Sequence, residues 1–163
     1  MNPNEPVNIG TDRQLFVDDF WIAQADGVSR KLHSPVKRET VLEREKPWEE
    51  GSVSYMGTMK DGGKLRGYYR CRDLDGGSNA EITAYQESDD GIHWEKPNLG
   101  LIEYQGSKDN NILARSIVDG TVFIDPKDVP ERRYKLLHTV GAHEGGLRIS
   151  SSADGIHFNV SEK

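Results

Sequence analysis

Apolar and polar positions fall into short runs broken at close intervals by Gly, Asp and Asn, without the sustained 3.6-residue period of a long helix. Residues 13–23 carry Leu15, Phe16, Val17, Phe20, Trp21 and Ile22 and predict a strand. Residues 51–59 alternate loosely, with Val53, Tyr55 and Gly57 to one side. Lys60-Asp61-Gly62-Gly63 predicts a hairpin turn into a strand over 65–72. The Asp- and Gly-rich stretch 73–79 predicts a second turn into a strand over 81–87, and Asp90-Gly91 a third turn into a strand at Trp94. Residues 121–125, 132–140 and 147–152 repeat this order, joined by loops at 126–131 and 141–146. Residues 37–50 support a single helical turn at most, because Pro47 interrupts them and no apolar period is present.

One hairpin occurs twice. Ser88-Asp89-Asp90-Gly91-Ile92-His93-Trp94 returns as Ser152-Ala153-Asp154-Gly155-Ile156-His157-Phe158, with Asp90 and Asp154 64 positions apart. Gly supplies positive φ and the Asp carboxylate ties down nearby backbone N–H groups. A fixed hairpin at this spacing predicts repeated small sheets, as in a β-propeller. The expected fold is all-β: two four-stranded antiparallel meanders forming propeller blades, in a partial propeller or a self-assembling fragment. One domain is expected over 1–163, with the first blade and its N-terminal strand at 13–95, and a crossover plus second blade at 96–163. Residues 96–115, with Pro97, Gly100, Gly106 and Asn110-Asn111, read as the irregular crossover. Trp94 and Phe158 are expected to be buried in equivalent places. His93 and His157 recur with the hairpin and are read as structural; a metal site would need further ligands beside them.

Composition narrows the partners. The chain has 163 residues, 17 Gly, 7 Pro and 34% hydrophobic residues, enough for a modest core. A net charge of −6 with no basic stripe argues against nucleic acid and suits a neutral, hydroxyl-rich ligand. No run is long and apolar enough to predict a membrane-spanning helix. Cys71 stands alone, so no internal disulfide is expected. The polar start, Met1 to Pro6, does not read as a signal peptide, and the compartment stays open.

Several segments together resemble a known group. They are Leu15-Phe16-Val17-Asp18-Asp19, residues 32–37, Pro47-Trp48-Glu49, Asp90 to Gly100, Gly106 to Asn111 and Pro130 to Lys135. Over nearly all of its length the chain resembles bacterial five-bladed β-propeller proteins related to the furanosidase-type glycoside hydrolases, families thirty-two and forty-three. The resemblance implies a carbohydrate ligand, no cofactor and carboxylates on the inner strands. It places a nucleophile or base on the first blade, where Glu49, Glu50 and Asp19 are the candidates. A second acid, in an Asp-Pro context on the second blade, matches Asp125-Pro126. The general acid of the third blade has no candidate, and the Asp-Pro-Asn-Gly motif of the first blade has no match.

Carboxylates are sought because glycoside cleavage needs two acids flanking one bond, one protonated and one ionised. Each candidate has a plainer reading. Asp19 can end an edge strand, Asp125 can form a turn before Pro126, and Glu49 and Glu50 lie in a charged run of the kind usually solvated. Trp48, Tyr68 and Tyr69, with Trp21, can stack on sugar rings or fill a core. Two repeats fall short of the roughly four blades of a closed propeller. Either a larger propeller or a homo-oligomer is therefore expected to cover the open faces. The expected function is carbohydrate hydrolysis by paired carboxylates, incomplete in this chain. The alternative is a non-catalytic module that binds glycan or protein, or that assembles.

Overall fold

The computed structural model describes residues 8–74, 81–115, 117–140 and 146–159, so most of the turns expected at 73–79 and 141–146 lie outside the described residues. The chain divides into two compact units, Met1–Arg38 and Glu39–Lys163. In the first unit the described residues form bends and turns. The strand expected at 13–23 is not formed: Asp18 Oδ1 accepts the Phe20 N–H at 2.9 Å and Asp19 O accepts the Ile22 N–H at 3.0 Å. Those Asp-led turns satisfy locally the backbone groups that a ladder would have used.

The second unit is built from antiparallel sheets. The first sheet has the order β1 (Ser52–Asp61), β2 (Lys64–Arg72), β3 (Glu81–Ser88) and β4 (Ile112–Arg115). The second has β5 (Ile117–Ile124), β6 (Tyr134–Val140) and β7 (Leu147–Ser152). Single 3₁₀ turns lie at Pro47–Glu49 and Pro130–Arg132. Asp61 pairs with Lys64 across Gly62-Gly63, whose φ values of 59° and 93° are those of the tight turn that favours glycine.

The duplication extends beyond the motif. β1 carries a bulge between Ser54 and Gly57, and β5 carries one between Val118 and Thr121, 64 positions later. The two bulges face one another, with a Cβ at Gly57 falling 4.0 Å from Thr121 Oγ1. Glu87 bridges to Glu95 beyond the first motif, as Ser151 does to Asn159 beyond the second. The loops differ. Lys60 and Leu65 are separated by residues 61–64, their counterparts Ile124 and Tyr134 by residues 125–133.

Residues paired across antiparallel strands share a face. One face of the first sheet carries Tyr69 with Ala84 and Cys71 with Ile82; Trp48, Tyr104 and Ile112 close over it as one core. The other face carries Tyr68 with Tyr85, rings 5.4 Å apart and edge-on, and forms a second core with Leu113, Ala114 and Leu136. Val122, Ile156 and Phe158 pack on this second core, so it joins the two sheets. Fully burying a side chain of this size contributes about 1.5–3 kcal/mol.

Three further expectations need correction. The first meander has four strands, but its fourth is Ile112–Arg115, inside the stretch read as crossover, rather than a strand at Trp94. The second has three strands rather than four among the described residues, and Asn159 makes an isolated bridge beyond it. Trp94 and Phe158 occupy equivalent places but are half-buried rather than buried, because the turn sets them at the sheet margin. Trp94 Nε1 donates to Gly91 O at 3.0 Å, which keeps its ring beside its own turn.

Candidate functional site

Glu49 is reached through its own backbone. Pro47 opens a 3₁₀ turn with Lys46 at the N-cap, and the Glu49 carboxylate folds back onto the exposed N–H groups of that end. Its Oε2 accepts from Glu45 N at 2.8 Å and Lys46 N at 3.1 Å. The same oxygen accepts from Lys96 Nζ at 3.0 Å, and Oε1 accepts from the Tyr69 hydroxyl at 2.6 Å. Lys96 in turn donates to Glu43 O at 2.8 Å, pairs with Glu45 at 3.3 Å and stands 5.6 Å over the Tyr69 ring. Asn111 completes the network. Its Nδ2 donates to the Tyr69 hydroxyl and to Tyr85 O, and its Oδ1 accepts from Trp48 Nε1 at 3.0 Å.

Trp48, Glu49 and Tyr69, three of the residues singled out in the sequence, thus come together beneath the first sheet. They are sealed there: Glu49 is 0% exposed, Tyr69 1% and Trp48 7%. Burial and the Glu49 hydrogen bond push the Tyr69 hydroxyl far above the ordinary tyrosine range. Burial likewise raises the Cys71 thiol, with the Glu49 charge adding to it. With four donors on its carboxylate, Glu49 has little acceptor capacity left for a substrate. It clamps residues 43–49 to β2 and to the chain around Lys96.

The remaining candidates lie elsewhere. Glu50 is exposed at the end of the 3₁₀ turn and lines a shallow hollow of about 470 Å³ with Arg44 and Lys46. Asp19 belongs to the first unit, where it pairs with Arg30 at 2.8 Å. Asp125 sits half-buried at the corner after β5, its Oδ1 accepting the Lys127 N–H at 3.0 Å and its N–H donating to Arg133 O at 2.7 Å. Tyr68 lies on the face toward the second sheet, where burial pushes its hydroxyl up to about 12.

A second polar cluster joins Tyr68 and the Asp154-Gly155 turn to residues not singled out in the sequence. Tyr68 donates to Gly155 O at 3.0 Å, and Arg66 donates to Asp154 O. Asp61, at the end of β1, accepts from the Tyr134 hydroxyl and pairs with Arg66 and Arg133, each at 3.3 Å. Both guanidinium groups lie over the Tyr134 ring, at 5.3 and 4.6 Å. The second Asp-Gly turn is therefore the piece by which the second sheet docks on the first. A Cβ at Gly155 would fall 2.8 Å from the Tyr68 hydroxyl and 3.0 Å from Arg66 Nη1 and Tyr134 Cδ1. The signal lay in the repeat: Asp61 stands 64 positions before Asp125, so the two are counterparts at the ends of β1 and β5.

The turns themselves are near copies. The Ser88 hydroxyl accepts from Gly91 N at 2.8 Å, and that of Ser152 from Gly155 N at 3.0 Å. Asp90 Oδ1 accepts from Ile92 N and His93 N, both at 2.8 Å, and Asp154 Oδ1 from Ile156 N and His157 N at 2.8 and 2.9 Å. In each, the other carboxylate oxygen meets the His Nδ1 at 2.7 Å. The His93 ring and backbone hold Asp90 well below the usual carboxylate range, and Asp90 raises His93 above the usual imidazole value. For Asp154 burial works against ionisation, yet the His157 backbone and ring hold it low. Both histidines are placed to hold their turns.

A groove of about 480 Å³ runs between β4 and the second turn, lined by Ile102, Leu113 and Phe158 with Arg115 and His157 among its polar groups. None of the residues proposed from the sequence for catalysis or substrate binding lines it. No known family model, curated protein or solved structure matches this chain.

Proposed function

We propose that this chain is a two-blade section of a carbohydrate-directed β-propeller of the furanosidase-hydrolase type, which by itself does not complete the catalytic pair of acids. The observation that carries the reading is the copied sheet. β5 repeats the bulge of β1, lies beside it, and the second sheet docks on the first through a copied turn. Stacking of that kind, continued, is how propeller blades surround a centre. The carbohydrate part of the reading rests on the family resemblance.

The positions of the acids shape what this section contributes. Glu49 is saturated and sealed, Asp19 belongs to the other unit, and Asp125 is tied into a corner turn. Paired carboxylates for cleavage stand about 5–10 Å apart around one open cleft. Within the second unit, Asp125 and Glu50 are the candidate acids that are not fully buried. A second reading, a module that binds or assembles without cleaving, is favoured by the four donors that hold Glu49 in a structural role.

Aryl-furanoside hydrolysis and oligosaccharide titration calorimetry, run on the chain and on Asp125→Asn, test the proposal. Oligosaccharide binding without turnover, unaffected by the substitution, is the expected result. Turnover abolished by Asp125→Asn would show that the chain does assemble a catalytic pair. Absence of binding to any oligosaccharide would remove the carbohydrate reading and leave the assembly reading.

A further inference from the structure

Among the described residues, one face of the second sheet carries exposed apolar side chains. Opposite the core, Thr121, Leu137 and Ile149 align across β5, β6 and β7; Phe123, Lys135 and Ser151 form the next row, and Thr139 with Leu147 extends the face. Phe123 is 42% exposed, Ile149 61% and Leu147 70%. The corresponding face of the first sheet, with Tyr68 and Tyr85, is the one that receives the second sheet.

Register defines the counterparts. Leu65 pairs with Ser88 as Tyr134 pairs with Ser152, so Arg66 corresponds to Lys135, Tyr68 to Leu137 and Tyr85 to Ile149. Asp61 corresponds to Asp125, and Lys64, just before Leu65, to Arg133. The docked turn, Asp154-Gly155-Ile156 with Phe158, corresponds to Asp90-Gly91-Ile92 with Trp94. Chemical type is kept at most of these positions. The base that reaches the turn is Arg66, and its counterpart in the second sheet is Lys135, which pairs with Asp128. The acid at the corner is Asp61 or Asp125. The base that meets it from the docking sheet is Arg133, whose counterpart Lys64 lies at the sheet margin beside Glu87, at 2.9 Å. The two tyrosine hydroxyl contacts become apolar, because Tyr68 is replaced by Leu137 and Tyr134 by Leu65. The first turn is open to a partner: Ile92 is 45% exposed and Trp94 half-buried.

We infer that the outer face of the second sheet binds the first Asp-Gly turn of a second copy of this chain, head to tail, in the manner that the first sheet binds the second turn within one chain. Lys64 of the incoming copy faces Asp125, and Ile92 and Trp94 cover Leu137 and Ile149. The two partner surfaces differ, so the contact is heterologous, and it propagates to rings or open chains instead of stopping at a symmetric pair. The inference uses the duplication and the exposed rows, and stands or falls independently of the carbohydrate reading.

Light scattering after size exclusion, over a range of concentrations, tests it with two surface variants. Ile92→Glu blocks the turn and Ile149→Glu blocks the face. Both positions are exposed, so circular dichroism is expected to be unchanged. The unaltered chain is expected to exceed its 18.3 kDa mass increasingly with concentration. Each variant alone is expected to associate more than about tenfold less well, because a charge is placed in an apolar contact. An equal mixture of the two is expected to form species of two copies and no larger, since each dimer then ends in a blocked turn and a blocked face. A monodisperse 18.3 kDa species at all concentrations, a mixture that stays monomeric, or variants that associate like the unaltered chain would each overturn the inference.

Discussion

Replacing Gly91 and Gly155 separately by Ala sets two nearly identical turns against each other. Both glycines are in the left-handed region, with φ of 82° and 79°, so each substitution carries a backbone cost of about 1–2 kcal/mol. The surroundings differ. At Gly91 the new methyl meets Leu65 Cδ1 at 3.1 Å, the end of a side chain that can shift. At Gly155 it meets the Tyr68 hydroxyl at 2.8 Å, Arg66 Nη1 at 3.0 Å and Tyr134 Cδ1 at 3.0 Å, groups held together by the docking cluster. Relief there means losing the Tyr68–Gly155 hydrogen bond or moving the sheets apart, a further cost of about 1–3 kcal/mol as for overpacked cores. Gly91→Ala is therefore expected to cost about 1–2 kcal/mol and Gly155→Ala about 2–5 kcal/mol. Urea unfolding followed by tryptophan fluorescence measures both. Equal losses for the two variants would refute the claim that the second turn is a docking piece and reduce both motifs to local turns.

The other predictions concern buried and surface charge. Glu49→Ala leaves the Lys96 ammonium and the Tyr69 hydroxyl without their shared acceptor, and is expected to cost about 3–5 kcal/mol in the same unfolding assay; a loss below about 1 kcal/mol would mean the network is not a clamp. His93 gains its charge more readily beside Asp90, so its contribution is present below the ordinary imidazole value near 6.5 and fades as pH rises through the raised folded value. Asp90 is depressed, so its contribution is present above about 3.8 and fades as pH falls through the lower folded value; the turn is best held between these limits. A proton NMR titration is expected to place the His93 midpoint above that of a free imidazole and to lower it in Asp90→Asn, whereas an unchanged midpoint would show that the contact is not kept in solution.

The sequence made the hairpins legible because their turns depend on residue types with strict backbone demands, as at Gly62-Gly63 and Asp90-Gly91. β4 was not legible. Ile112, Leu113 and Ala114 make too short an apolar run to distinguish strand from loop, and the Asn110-Asn111 pair before them looks like a turn. Asn111 is instead a buried hub between Trp48 and Tyr69. The run at 13–23 had strand composition, but a strand also needs a partner ladder, which composition does not reveal. Glu49 was legible as a candidate acid and not as a buried one, because its burial depends on Lys96, 47 positions away. The docking cluster was hidden for a related reason: Asp61 and Arg66 look like ordinary surface charges until the second turn is laid over them.

The distance along the chain between the partners of the docking contact has a consequence in time. Neighbouring strands in each sheet follow one another in chain order, whereas Tyr68 and Gly155 are 87 positions apart. Local hairpins close early in folding, and contacts between distant segments wait for larger loops to close. Each sheet can thus form on its own schedule, with the Gly155 turn settling last. Interactions completed after the rate-limiting step act chiefly on the rate of unfolding. The contact that joins the two sheets then governs how long the assembled unit lasts rather than how quickly it forms.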